Sequence, residues 1–169
     1  MPDLPTLTNA LALLPKKNLH AKNQGDTYLR FQLGEKTSAV LSMSRAQEVI
    51  VLPPGRLTPM PNMPPYVLGL LNRRSRVLWV IDLGKMLGLP EVLTNVQQYS
   101  IIIIRNSSGS LGLVVQTVEG VVRLTPDSIQ SPHGQVSSSL VPYLRGCTLQ
   151  DREILLVLDT EAIMGYAQR

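Results

Sequence analysis

One cysteine, two histidines, one phenylalanine and one tryptophan are all that this chain of 169 residues contains of each. The lone Cys147 rules out an intramolecular disulfide and suits a reducing compartment. His20 and His133 lie in predicted loops among polar neighbours, without a partner at metal-ligand spacing. No metal and no cofactor are therefore expected. Aromatic residues make up only 4% of the chain. The core must come from Leu, Val and Ile, and the β-branched members of that set favour strands. No run approaches the roughly 18 apolar residues that span a bilayer. At the N-terminus, Asp3 precedes the apolar stretch Ala10–Leu14 and Lys16 and Lys17 follow it, the reverse of a secretory signal. A cytoplasmic protein with no direct membrane insertion is expected.

Catalytic signatures are also missing. The sequence has no phosphate-cradling glycine loop, nucleophile elbow or kinase motif, and its 12 acidic residues are scattered. Cys147 follows a glycine at a predicted strand entry and reads as a small buried thiol, since a nucleophile needs a nearby base and an oriented third group. No enzyme and no catalytic residue are expected. The net charge of +4 and pI near 9.5 raise the alternative of a basic β-barrel protein that binds nucleic acid. That reading predicts salt-dependent binding. The one dense basic cluster, Arg73, Arg74 and Arg76, lacks the interleaved aromatics of single-strand binders and reads as solvated surface.

What is present is a unit used twice. Tyr66-Val67-Leu68-Gly69 and Arg76–Asp82 recur 77 positions later as Tyr143-Leu144-Arg145-Gly146 and Glu153–Asp159. The offset holds through Gly88 and Gly165. Upstream the offset is 72, setting Ala46–Ile50 against Val118–Val122, and Tyr28–Leu33 corresponds loosely to Tyr99–Ile104. Two copies of this length make a duplicated domain, not a solenoid.

Each copy reads as strands. Tyr28–Leu33 alternates with period two and turns at Gly34-Glu35-Lys36 into Thr37–Met43. Ile101–Ile104 is apolar throughout, as in a strand covered on both faces, and Asn106–Gly109 turns it into Leu111–Val115. Val77–Ile81 and Ile154–Leu158 each end in an aspartate, Asp82 or Asp159, placed to cap a short helix. The six prolines between Leu52 and Pro65 make a stiff connector. Short strands with Gly and Pro turns point to two small barrels joined across an apolar seam, because a half of this size buries little core alone. The expected boundaries are an N-terminal arm over 1–25, a first subdomain near 26–90, a second near 98–158, and a C-terminal helical turn at 159–165.

These blocks resemble the CheW family, the coupling proteins of bacterial chemotaxis-type signalling. The resemblance is carried by Tyr28–Gly34, by Ala46-Gln47-Glu48-Val49, by Gly69–Ser75 with Val80-Ile81-Asp82-Leu83, and by Leu111–Val115 with Val118, Val121 and Leu144-Arg145-Gly146. It covers roughly residues 27 to 165. It implies a mainly β fold of two tandem SH3-like five-stranded barrels with short helices. It also implies an adaptor, at membrane-associated receptor arrays, with two partners: the regulatory domain of a CheA-type histidine kinase and the cytoplasmic tip of a methyl-accepting receptor. An array filler that does not couple receptors is the variant reading.

Residue by residue, the resemblance places Glu48 and Arg74 beside the receptor groove, with Ala46, Ile101, Val118 and Val121 as its apolar lining. A planar guanidinium can grip one carboxylate in two parallel bonds and so orient the groove's edge. The chain also departs from the family pattern. Ser75 stands where Gly is usual, Arg73 where Leu is common, Trp79 where Pro is common, and Gln116 where Asp is frequent. A turn that needs positive φ would be strained at Ser75. Arg73, Ser75, Arg76, Trp79 and Gly146 are therefore expected to form a kinase or specificity surface, with altered partners such as a surface-motility pathway.

Overall fold

The computed structural model of the chain describes residues 25–90 and 97–167, so the expected arm over 1–25 lies, except for Gly25, outside the described residues. Ten strands form. The first repeat contributes β1 (Asp26–Gly34), β2 (Thr37–Ser42), β3 (Ala46–Leu52), β4 (Val67–Arg73) and β5 (Arg76–Asp82). The second contributes β6 (Tyr99–Asn106), β7 (Gly109–Val115), β8 (Thr117–Leu124), β9 (Leu144–Gln150) and β10 (Glu153–Leu158). One short helix follows the last strand of each repeat, α1 (Leu83–Met86) after β5 and α2 (Thr160–Ala167) after β10.

The strands assemble into two five-stranded sheets, β8-β1-β2-β10-β9 and β3-β6-β7-β5-β4. Each sheet draws strands from both repeats, so the expected boundary between residues 90 and 98 divides the duplication and not the sheets. The first two strands of each repeat cross over to the other's sheet, where the second pairs in parallel with the other's last strand, β2 with β10 and β7 with β5. Sequence similarity between copies reveals which segments are alike, but not which copy each one pairs with.

Alternation along the strands divides the core. Ile101 and Ile103 point into the β3–β7 barrel with Leu52, Leu71, Val80 and Val114. Ile102 and Ile104 point the other way, into a larger cluster with Leu29, Phe31, Leu113 and Leu158 that joins the two barrels. A third cluster around Tyr28, Val40 and Val157 fills the other barrel. The run of four isoleucines is thus covered on both faces, as a strand between two cores requires.

The proline-rich connector makes a 3-10 turn at Pro54–Arg56 and then a single bridge, Thr58 to Leu70, across to the free edge of β4. The second repeat does the same, with a 3-10 turn at Pro126–Ser128 and a bridge from Gln130 to Cys147. These bridges close each sheet into a barrel. Cys147 is buried under the second, its Sγ 3.9 Å from the Ser131 carbonyl oxygen.

Both aspartates cap helices. Asp82 Oδ1 accepts the Lys85 N–H at 3.2 Å, and Asp159 Oδ1 accepts the Ala162 N–H at 3.1 Å. Burial raises the Asp82 carboxyl above the usual carboxylate range, opposed by hydrogen bonds from the backbone of Lys85 and Gly84. The backbone N–H groups of the same two aspartates donate to the carbonyls of Tyr66 and Tyr143, and the rings of both tyrosines pack on Tyr166 of α2, with centroids 6.0 and 5.4 Å away. The C-terminal helix therefore holds equivalent points of both repeats, and it runs two residues beyond the expected turn at 159–165.

The β4–β5 hairpin turns through Arg74 and Ser75 at φ of 52° and 65°. Positive φ at both central residues gives a two-residue turn the twist its strands need, at a cost for any residue with a Cβ. Asp151 and Arg152 repeat the geometry in the β9–β10 hairpin, at 49° and 68°. Replacing Ser75 by glycine is expected to raise stability by about 0.5–1 kcal/mol, the relief of strain outweighing the added freedom of the unfolded chain. A urea titration of the two proteins, read at their midpoints, checks this.

Candidate functional site

The duplication serves as an internal control. Features that both copies keep, such as the capping aspartates, the tyrosines and Gly69 with Gly146, maintain the fold. Features that one copy has and the other lacks point elsewhere. The clearest of the second kind lies at one end of the β3–β7 barrel. Glu48, on β3, is buried, and its two oxygens face two different arginines of the β4–β5 hairpin. Arg73 Nε donates to Oε1 at 2.6 Å, and an Arg74 guanidinium nitrogen lies 3.6 Å from Oε2. Strands β3 and β4 are the two edges of their sheet, so this carboxylate ties the edges together opposite the Thr58 bridge. The equivalent positions of the second repeat, at the offsets 72 and 77, are Gly120, Gln150 and Asp151, which can form no such cluster.

The bulges in β3 and β8 set the apolar neighbours. The register of β3 shifts between Ala46 and Glu48, and that of β1 against β8 shifts opposite Glu119. Ala46 then pairs with Ile104, Val118 with Phe31 and Val121 with Leu29, all of which belong to the cluster between the barrels. Cross-strand partners share a face of the sheet. Ala46, Val118 and Val121 therefore all lie on the seam side of two edge strands. Ala46 and Val118, which are equivalent in the repeat, pack against the seam cluster, while Val121 is 45% exposed.

Residues 27–168 match the model of the CheW-like domain. The chain belongs to that family. It is 32% identical over 148 residues to a probable chemotaxis protein CheW of Rhizobium etli, covering 86% of this chain and 92% of that protein. It is 29% identical over 138 residues to the chemotaxis protein CheW of Treponema pallidum, covering 80% and 79%. The scaffolding protein TtCheW of Thermoanaerobacter tengcongensis superposes with a TM-score of 0.69 at 24% identity, over 80% of this chain and 89% of that one, which shows the shared fold. That fold is mainly β, with two SH3-like five-stranded subdomains and short helices.

Against this CheW-type framework, the expected site residues fall into three groups. Ala46, Glu48, Arg74, Val118 and Val121 lie on or beside the edge strands β3 and β8 and the neighbouring hairpin. Ile101 does not join them. It is fully buried inside the β3–β7 barrel, paired with Ile50, and one residue out of phase with the seam-facing Ile102 and Ile104. Four isoleucines in a row leave no polar alternation from which to read the face, and a shift of one residue moves a side chain to the opposite side of the sheet. Among the residues expected to set specificity, Ser75, Arg76 and Trp79 are exposed on the β4–β5 hairpin. Arg73 is tied to Glu48. Gly146 belongs to the other sheet and is buried beneath the Gln130 carbonyl.

A residue the sequence did not mark stands among them. Arg105, at the end of β6, lines the same cleft as Glu48, Arg73, Arg74 and Arg76, a cavity of about 700 Å³ bounded on its far side by residues 106–110. It follows the isoleucine run directly, and an arginine at a strand end carries no local signal. Only the pairing of β3 with β6 brings it to this spot. Among the described residues, no helix is long and apolar enough to cross a membrane.

Proposed function

We propose that this chain is a non-enzymatic adaptor that couples methyl-accepting receptors to a CheA-type histidine kinase. In this reading the receptor's cytoplasmic tip lies along the apolar edge residues Ala46, Val118 and Val121, with Glu48 and Arg74 at its side. The kinase's regulatory domain takes a separate surface, and the protein works in the cytoplasm at membrane-associated arrays. The observation that carries the reading is the buried Glu48 carboxylate held between Arg73 and Arg74, present in one repeat and absent from the other. Family membership and relatives that are chemotaxis and scaffolding proteins support it. A helix laid on an apolar strip is a common recognition mode, and a fixed guanidinium at the edge of the strip gives it register and orientation.

The test is a pull-down against the CheA-type kinases and receptor hairpins of the same genome. Capture of one kinase and one receptor is the expected result. Arg74→Glu should weaken receptor capture about tenfold or more while kinase capture persists, because a reversed charge at an interface also repels. The Arg74 side chain is 68% exposed and Arg73 still holds Glu48, so the variant should fold. Unchanged receptor capture by that variant would remove Arg74 from the site. Folded protein that captures neither partner would overturn the adaptor reading.

A further inference from the structure

The cleft beside Glu48 carries more positive charge than its own carboxylate can balance. Four guanidiniums line it, from Arg73, Arg74, Arg76 and Arg105, and Glu48 accounts for the first two. Arg76 and Arg105 are both exposed, and among the described residues neither has a carboxylate within ion-pair distance. The second repeat shows what balance looks like at the position equivalent to Arg76. Glu153 stands there and meets Arg30 at 2.5 Å.

The walls of the cleft are fixed in place. The Asn106 side chain accepts the Ser108 N–H at 2.8 Å and donates to Glu161 of α2 at 3.1 Å, which ties the far wall to the C-terminal helix. The near wall is the hairpin pinned by Glu48. Beyond Ser110, which borders both, a smaller apolar hollow of about 290 Å³ opens between Met63, Trp79 and Met164. Trp79 is 38% exposed and Val77 is 64% exposed, so the rim nearest the arginines is apolar.

We propose that this cleft takes an acidic, amphipathic segment of a partner protein, whose carboxylates are gripped by Arg76 and Arg105 while an apolar side chain settles against Trp79. The proposal rests on the adaptor reading and names the chemistry of the partner at one surface. Guanidiniums also bind phosphate, but among the described residues no aromatic ring lines the cleft to stack a base, and Trp79 faces the neighbouring hollow. A peptide that combines carboxylates with an apolar residue suits the two adjoining spaces, whereas a phosphodiester backbone uses only one of them.

Fluorescence anisotropy with a labelled peptide of repeated Glu-Glu-Leu units tests this, with the matching Lys-Lys-Leu peptide and a short oligothymidylate as competitors. The acidic peptide should bind at low salt and weaken as salt screens the charges. The double variant Arg76→Glu/Arg105→Glu should bind it about tenfold or more weakly. Lys36→Glu/Arg56→Glu, which makes the same change in net charge at exposed positions outside the cleft, should lose much less. The milder Arg76→Gln/Arg105→Gln should give an intermediate loss, and thermal melts establish that each variant is folded. Equal loss in both reversed pairs, absence of binding by the unmodified protein, or stronger binding of oligothymidylate than of the acidic peptide would each overturn the proposal. These measurements need neither receptor nor kinase, so failure to capture those partners would count against the adaptor reading alone.

Discussion

Alanine at position 146 is expected to lower the stability of the protein by more than about 3 kcal/mol, through one added methyl group. An ideal Cβ on Gly146 would sit closer than 3.0 Å to the Gln130 carbonyl oxygen and to the Ile129 side chain. Neither neighbour can yield cheaply. Gln130 exchanges both backbone hydrogen bonds with Cys147, at 2.8 and 3.0 Å, and this pair closes the barrel. Making room for the methyl opens the closure. The cost then combines overpacking, about 1–3 kcal/mol, with two backbone hydrogen bonds worth about 1 kcal/mol each. Gly69 occupies the equivalent place, under the Thr58 carbonyl and at φ of 145°, so its alanine variant should suffer at least as much. Gly165, within α2, provides the contrast. Among the described residues nothing lies within 4 Å of its Cβ position, and alanine there should be neutral or add up to about 1 kcal/mol. Urea unfolding of the three variants, side by side, reads the difference. Wild-type stability in Gly146→Ala would mean that the closing bridge contributes little.

The second large effect is at Ile101. Truncation to alanine in the fully buried barrel interior is expected to cost about 2–5 kcal/mol, and Ile101→Val about 0.5–1.5 kcal/mol. The variants also separate two explanations of any binding defect. A residue that touched a partner would change affinity even in fully folded protein. Ile101 lies behind the sheet, so Ile101→Val should bind as the unmodified chain does wherever both are folded. Melting temperatures measured together with partner capture decide the matter. A tenfold loss of capture in a fully folded Ile101→Val protein would return Ile101 to the binding surface.

Much of this architecture was legible in the sequence. The duplicated Tyr–Gly and strand–Asp segments identified equivalent parts, and both aspartates cap as their position implied. The isoleucine run implied a strand covered on both faces, and burial of all four residues agrees. Four things were hidden, each for a physical reason. Strand exchange was hidden because a repeat records likeness and not pairing. The face of Ile101 was hidden because an unbroken apolar run has no phase. The pairing of Glu48 with Arg73 as well as Arg74 was hidden because it depends on the turn, where two positive φ values bring adjacent arginines to the same carboxylate. Arg105 enters the cleft by strand pairing alone.

The exchange of strands has a bearing on ancestry. Exchanging the strand labels of the two repeats turns β8-β1-β2-β10-β9 into β3-β6-β7-β5-β4, so the two sheets share one topology with the repeats interchanged. A molecule that carried a single repeat could set its five strands in the order β3-β1-β2-β5-β4, and two such molecules that traded their first two strands would build the arrangement seen here. That is a domain-swapped homodimer. Joining its two chains into one raises the effective concentration of each half for the other and frees the copies to diverge. Equivalent positions of the two halves now differ in charge, acidic at Glu153 and basic at Arg76, which a single chain permits and a symmetric homodimer does not.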